Sequence, residues 1–296
     1  MIGAAYALAT AFCWAGSNAI IKSITAKIDA LSLGALRLCI AFLFLFAFVF
    51  LSGRGTALIH TPLTPIAYVI ISGIIAQAIG DTIYIRSLSY LNVSRAFPVS
   101  QCAYSFFTML LVVLLLGEAF TWVTGVGAFF ALFGIYLITS TRIAPGRGSM
   151  PRRISKKGIV LALIAGVVWS LAALALKLGV VEMDPLVAAA IRVSSAAIAL
   201  TSFALSRRKR GALELRRYGF RSLALALTSG LIDYGLGMVF FIIAIQLIGA
   251  GKTVVLSATS PLFLLPFSVF ILKERLTRFT LLGILIGIAG IYLVSL

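Results

Sequence analysis

The sequence predicts an all-α integral membrane protein of ten transmembrane helices, arranged as two inverted five-helix repeats. Three observations predict it. Of the 296 residues, 61% are apolar and only 11% are Asp, Glu, Lys or Arg, against about 25% charged residues in a soluble domain. Apolar runs of spanning length recur along the chain, and the second half repeats a residue pattern of the first.

So apolar a chain excludes a cytosolic enzyme, a disordered chain and a disulfide-stapled secreted domain, none of which could keep that surface from water. Cys13, Cys39 and Cys102 lie inside apolar runs and read as small core residues rather than a disulfide or metal framework. His60 is the single histidine, so no histidine-based metal site is expected, and no cofactor.

A spanning helix needs about 20 apolar residues. Runs of that kind break at charge clusters or Pro/Gly punctuation. They give spans at 2–24, 31–52, 64–86, 93–116 and 120–140, then, after the basic stretch 142–157, at 158–178, 185–205, 221–247, 253–272 and 278–296. The first run starts almost at Met1 without a basic n-region or a small-residue cleavage site, and reads as a retained span.

The net charge is +17, and the position of the cations decides its meaning. All of the 25 Lys and Arg except Arg54, Lys177, Lys252, Arg37 and Arg192 cluster at the loops after spans 1, 3, 5, 7 and 9. Such alternation is a topology signal, not a nucleic-acid footprint. It puts Arg152, Arg153, Lys156, Lys157 and Arg207 to Arg210 in the cytoplasm and both termini outside a bacterial inner membrane.

The halves align with a shift of 155: Gly3 with Gly158, Trp14 with Trp169, Lys22 with Lys177, Asp29 with Asp184, Arg37 with Arg192. The shift becomes 157 at Ser72-Gly73 with Ser229-Gly230 and at Gly80 with Gly237, then 156 at Glu118 with Glu274 and Thr121 with Thr277. It stays there for Gly134-Ile135-Tyr136-Leu137 and Gly290-Ile291-Tyr292-Leu293. Five spans per half is an odd number, so equivalent helices must cross in opposite directions. Two such half-bundles can exchange shapes around a midplane site, the geometry of alternating access. The repeats are assigned to residues 1–141 and 158–296, joined by the basic cytoplasmic linker 142–157.

The motifs Leu36-Arg37 and Ile191-Arg192, the stretch Ala244 to Pro261 followed by Leu272-Lys273-Glu274-Arg275-Leu276-Thr277, and the Gly-rich last spans (Gly125, Gly127 and Gly134; Gly283, Gly287 and Gly290) form a pattern. It resembles the drug/metabolite transporter superfamily, specifically its ten-span exporters built from two EamA-type domains. One departure is visible: Pro98 precedes Glu118 by twenty residues, whereas Pro261 precedes Glu274 by thirteen. The segment Ser94 to Gln101 looks like the YddG-type amino-acid exporter branch, which implies export of aromatic and other neutral amino acids.

Charges in hydrocarbon are costly unless paired or wet, which singles out Arg37, Asp81, Arg192 and Asp233. An arginine could hold a substrate carboxylate and an aspartate its ammonium. Alternatively the four pair with one another, or the arginines snorkel to the interface. Asp81 and Asp233 are not at equivalent repeat positions, as a site for an asymmetric substrate requires.

Trp14, Ser17 and Asn18 share one helical face with Thr10, and Trp169 with Ser170 is the counterpart on span 6. Gln77, Asp81 and Tyr84 share a face of span 3, joined by Gln101 and Tyr104 of span 4. These faces are expected to line one substrate cavity. Trp14 and Trp169 lie about twelve residues into their spans, roughly 18 Å along the helix, too deep for a headgroup belt. Trp122 reads as an interface anchor.

Pro98 and Pro261 are candidate hinges, or plain packing kinks, whose freed carbonyls nearby hydroxyls could bind. Gly283 and Gly287 form a GxxxG whose favoured partner is another helix of this chain, leaving a monomer favoured and a homodimer possible. An intramembrane enzyme would need a nucleophile-base pair or a metal cluster, and the sequence shows no HExxH, GxSxG or Walker-type motif. A channel would present a symmetric ring of like groups.

Overall fold

The computed structural model describes residues 1–24, 28–91, 93–117, 121–140, 155–206, 218–264 and 278–295. Most of the 142–157 linker, Arg207 to Arg210, Pro266, the Leu272 to Thr277 motif, Glu118 and Glu274 lie outside the described residues.

Every regular element among the described residues is helical. In chain order these are α1 (Ile2–Ile24), α2 (Ala30–Leu51), the short α3 (Gly55–His60), α4 (Leu63–Gly73), a π-helical segment (Ile74–Gly80) and α5 (Asp81–Ser87). There follow α6 (Val93–Leu116), α7 (Trp122–Ser140), α8 (Lys156–Gly179), α9 (Pro185–Ser206), α10 (Phe220–Gly230), a second π-helical segment (Leu231–Gly237), α11 (Met238–Ser257) and α12 (Arg278–Ser295). Seven helical runs among the described residues are long and apolar enough to cross a membrane.

Two expected spans differ from a plain α-helix. Those at 64–86 and 221–247 each enclose a seven-residue π-helical segment, and the two segments lie at the 157-residue shift. In such a segment the amides bond to i−5, which widens the turn and re-aims the side chains. The break expected between 247 and 253 is a kink inside α11, where Gly249 adopts φ 79° and ψ 166°. Only glycine populates that region freely.

The helix starts explain why both halves carry an aspartate at one repeat position. Asp29 accepts the N–H groups of Leu31 and Ser32 at 3.1 Å each, and Asp184 those of Leu186 and Val187 at 2.9 and 3.2 Å. Each therefore caps the second long helix of its half. Arg54 ties back to Asp184 at 2.7 Å across an exposed pair. Such a bond adds little stability.

The outside of the bundle is apolar. Leu43, Phe44, Phe46, Phe48 and Phe50 on α2 and Phe129 and Phe133 on α7 are exposed, as acyl chains require and water would not tolerate.

Packing between the halves repeats residue for residue. A Cβ on Gly3 would stand 2.6 Å from Ile248, and one on Gly158 would stand 2.6 Å from Leu91, its counterpart at the 157 shift. The first helix of each half, α1 or α8, packs on the helices of the other half, while α2 meets α9 and α7 meets α12. The Gly283–Gly287 pair faces α7 of this chain: a Cβ on Gly134 would lie 2.5 Å from the Gly283 carbonyl oxygen and 2.8 Å from the Gly287 Cα.

Candidate functional site

Where α1, α2, the two π-bearing spans, α6, α8 and α9 converge, they enclose a cavity of about 660 Å³ including its mouth. Trp14, Asn18, Gln77, Asp81, Tyr84, Gln101, Tyr104, Trp169 and Asp233, all singled out in the sequence, line it. Ser17 does not; it sits behind the wall, donating to Asp233 Oδ2 at 3.0 Å and accepting from Arg37 at 3.0 Å.

Both arginines reach this cavity rather than the interface. Arg37 is 2% exposed and Arg192 4%, which overturns the snorkelling alternative. Two glycines let them in. Gly73 lies on the backbone of Arg192 and Gly230 on that of Arg37, where an added Cβ would stand 2.2 and 2.5 Å from the respective carbonyl oxygens. The serine before each glycine accepts the arginine Nε–H: Ser72 from Arg192 at 3.1 Å and Ser229 from Arg37 at 3.2 Å.

Beyond that shared frame the two arginines differ. Arg37 forms an ion pair with Asp233 and donates to the Tyr234 hydroxyl at 3.2 Å. Tyr234 donates in turn to Asp81 at 2.5 Å, and Trp169 Nε1–H donates to the other Asp81 oxygen at 2.8 Å. A continuous network thus runs from Ser17 through Asp233, Arg37 and Tyr234 to Asp81 and Trp169. Among the described residues, Arg192 Nη1 bonds to the Met238 sulfur alone, at 2.7 Å. A thioether is a weak acceptor and cancels no charge.

The rest of the wall is aromatic. Trp169 lies 5.4 Å from Tyr84 and 6.0 Å from Tyr104 between ring centres, and Trp14 lies 5.3 Å from Phe241. Tyr84 donates to Asn18 Oδ1 at 3.0 Å, and Asn18 Nδ2 donates to the Trp14 carbonyl at 2.9 Å. Both amide atoms of Gln77 and the Oε1 of Gln101 are buried without a hydrogen-bond partner among the described residues.

Of the two prolines, Pro98 lies inside the unbroken helix α6. Pro261 follows a turn at 258–259 and is buried. Pro261 frees the Ser257 carbonyl four residues back, and the Ser260 hydroxyl takes it at 2.7 Å. Phe97, Tyr234, Met238 and Phe241 also line the cavity, though nothing in the sequence reading singled them out. Tyr234 had a signal: it is the 157-shift counterpart of Gln77.

Helices of membrane-crossing length surround a charged and aromatic cavity, an arrangement that suits a membrane transporter. The chain belongs to the EamA-like transporter family of the drug/metabolite transporter superfamily, matched once over residues 1–140 and again over 156–296. It is 27% identical over 289 residues to an uncharacterized transporter of Archaeoglobus fulgidus, covering 98% of this chain and 96% of that one. It is 28% identical over 137 residues to the uncharacterized transporter YoaV of Bacillus subtilis, covering 45% and 42% of the two chains. A solved crystal structure shares the fold, with a TM-score of 0.77 at 18% identity over 98% of this chain and 95% of the other. The protein is thus a multi-pass transporter and not an enzyme, with a small-molecule substrate and the lipid bilayer as partners.

Proposed function

We propose that this transporter exports amino acids, aromatic or neutral, by alternating access through the central cavity. One observation carries the reading: one cavity is lined by charges of both signs and by the five rings of Trp14, Tyr84, Tyr104, Trp169 and Tyr234. A zwitterion with an apolar side chain needs an anionic wall, a cationic wall and an aromatic platform. A lipophilic cation or an apolar drug would leave one of the charges unanswered.

The transport cycle uses ten spans as two inverted repeats, 1–141 and 158–296, with the linker 142–157 and the other basic loops in the cytoplasm. Both termini then face the outside of a bacterial inner membrane, and the unit is a monomer. The reciprocal packing of α1 and α8 on the opposite halves fits a two-fold relation between them, and an odd number of spans per half makes that relation an inverted one. Pro98 and Pro261 act as hinges, with the Ser260 hydroxyl taking the Ser257 carbonyl that Pro261 frees.

The test is uptake of labelled phenylalanine, threonine and a lipophilic cation into proteoliposomes. Saturable flux of the amino acids alone is expected. Saturable flux of the cation alone would replace the substrate class, and unsaturable flux of everything would make the protein a channel.

A further inference from the structure

The two halves present one arginine site twice, and only one copy is complete. Around Arg37 stand Ser229, Asp233, Tyr234 and Ser17. Their repeat counterparts around Arg192 are Ser72, Ala76, Gln77 and Ala172, at shifts of 157 for the first three and 155 for the last. The serine that receives Nε–H is retained, and so is the glycine that brings the backbones together. The carboxylate, the second hydroxyl and the phenol are gone.

Arg192 therefore keeps the placement of Arg37 without a carboxylate bonded to it among the described residues. The ion pairs among the described residues are Arg37–Asp233 and Arg54–Asp184, and Asp81, which shares the cavity, is bonded instead to Trp169 and Tyr234. A guanidinium is always protonated, presents five N–H donors and matches a carboxylate with two parallel bonds. Gln77 lines the same cavity, 2% exposed and with neither amide atom partnered among the described residues, so its N–H₂ is left for a second acceptor oxygen.

We infer that Arg192 and Gln77 form the carboxylate subsite of the cavity, and that the substrate's carboxylate takes the place by Arg192 that Asp233 holds by Arg37. This deepens the amino-acid reading and rests on it. It also separates the two arginines by role: Arg37 is an internal strut whose charge is spent on Asp233, and Arg192 is the one that reads the ligand. The substrate is thereby a free acid, and its amide or ester is rejected. The amino group falls to Asp81, the carboxylate without an arginine.

The experiment is binding of phenylalanine, phenylalaninamide and 3-phenylpropionate to the purified full chain, followed by tryptophan fluorescence from the cavity rings Trp14 and Trp169. Wild type is expected to prefer phenylalanine over its amide by about tenfold or more, the scale of a lost charge-assisted bond. Arg192→Gln should erase that preference. Ala76→Asp tests the same point with the arginine kept, by supplying internally the carboxylate that the first half has. It should weaken phenylalanine and 3-phenylpropionate about as much as Arg192→Gln, leave phenylalaninamide no weaker, and raise the thermal midpoint.

If Arg192→Gln folds poorly, Ala76→Asp decides alone. Retention of the wild-type acid-to-amide preference in a folded variant of either kind would overturn the inference while leaving amino-acid transport standing. Loss of 3-phenylpropionate binding in the variants, with wild type binding phenylalanine no better than 3-phenylpropionate, would sustain the subsite and overturn the amino-acid reading instead.

Discussion

Gly73 rests directly on the backbone of Arg192, so close that a methyl group at Gly73 would stand 2.2 Å from the arginine's carbonyl oxygen. The other half repeats the contact with Gly230 and Arg37 at 2.5 Å. Because the neighbour is backbone, it has no rotamer by which to yield. Gly73→Ala and Gly230→Ala are each expected to destabilise the protein by about 1–3 kcal/mol, the usual cost of overpacking, and to do so to a similar extent. Thermal unfolding in detergent, monitored by loss of the monodisperse species, measures both.

Asp233 neutralises an arginine that is almost wholly buried. Asp233→Asn should strand the Arg37 charge and cost about 3–5 kcal/mol, the penalty of breaking a buried pair from one side. Replacing both partners together, Arg37→Met with Asp233→Leu, should recover much of that loss, since a buried pair and an apolar pair of similar volume are often equal in stability. The comparison of the single and double variants by thermal unfolding separates a structural pair from a substrate-binding one.

Asp81 is held in place by two donors, Trp169 and Tyr234, and lines the cavity. Asp81→Asn preserves shape and one acceptor oxygen. It is expected to raise the phenylalanine KM about tenfold or more with the chain still inserted and monodisperse, by loss of a charge-assisted bond to the ammonium. Trp14→Ala should likewise raise KM, through loss of the ring that closes the Phe241 side of the wall. Both are read from initial rates in proteoliposomes.

Gly249 bends α11 at φ 79° and ψ 166°, and the Gln246 amide, three residues earlier, donates to the Val180 and Met183 carbonyls at 2.6 and 2.7 Å. The kink is thus tied to the connection between α8 and α9. Gly249→Ala forces a side chain into a glycine-only region, at a cost of about 1–3 kcal/mol. Lower thermal stability of that size, with the cavity variants' ligand preferences unaltered, is the expected result.

Much of the cavity was legible in the sequence because a span is expensive to decorate with polar groups. Trp14, Asn18, Gln77, Asp81 and Gln101 stand out against an apolar background, and helical spacing puts neighbours such as Asp81 and Tyr84 on one face. Met238 and Phe241 were not legible, since an apolar cavity wall and a lipid-facing surface use the same residues. The pairing of Arg37 with Asp233 rather than Asp81 was also out of reach. It depends on how the π-helical segments Ile74–Gly80 and Leu231–Gly237 re-aim their side chains, and local propensity does not mark such segments. The drift of the repeat from 155 to 157 was visible, but its use, to compare Asp233 with Ala76 and Tyr234 with Gln77, became clear only once Arg37 and Arg192 were seen in matching frames.

Counterflow tests the central claim most directly. Proteoliposomes loaded with unlabelled phenylalanine are placed in trace labelled phenylalanine, and the transient accumulation of label is followed. An alternating cavity between two halves should exchange cargo one for one, so label should overshoot its equilibrium level, and Asp81→Asn should reduce the overshoot. A flux that rises linearly with concentration, shows no overshoot and ignores the internal load would contradict the account.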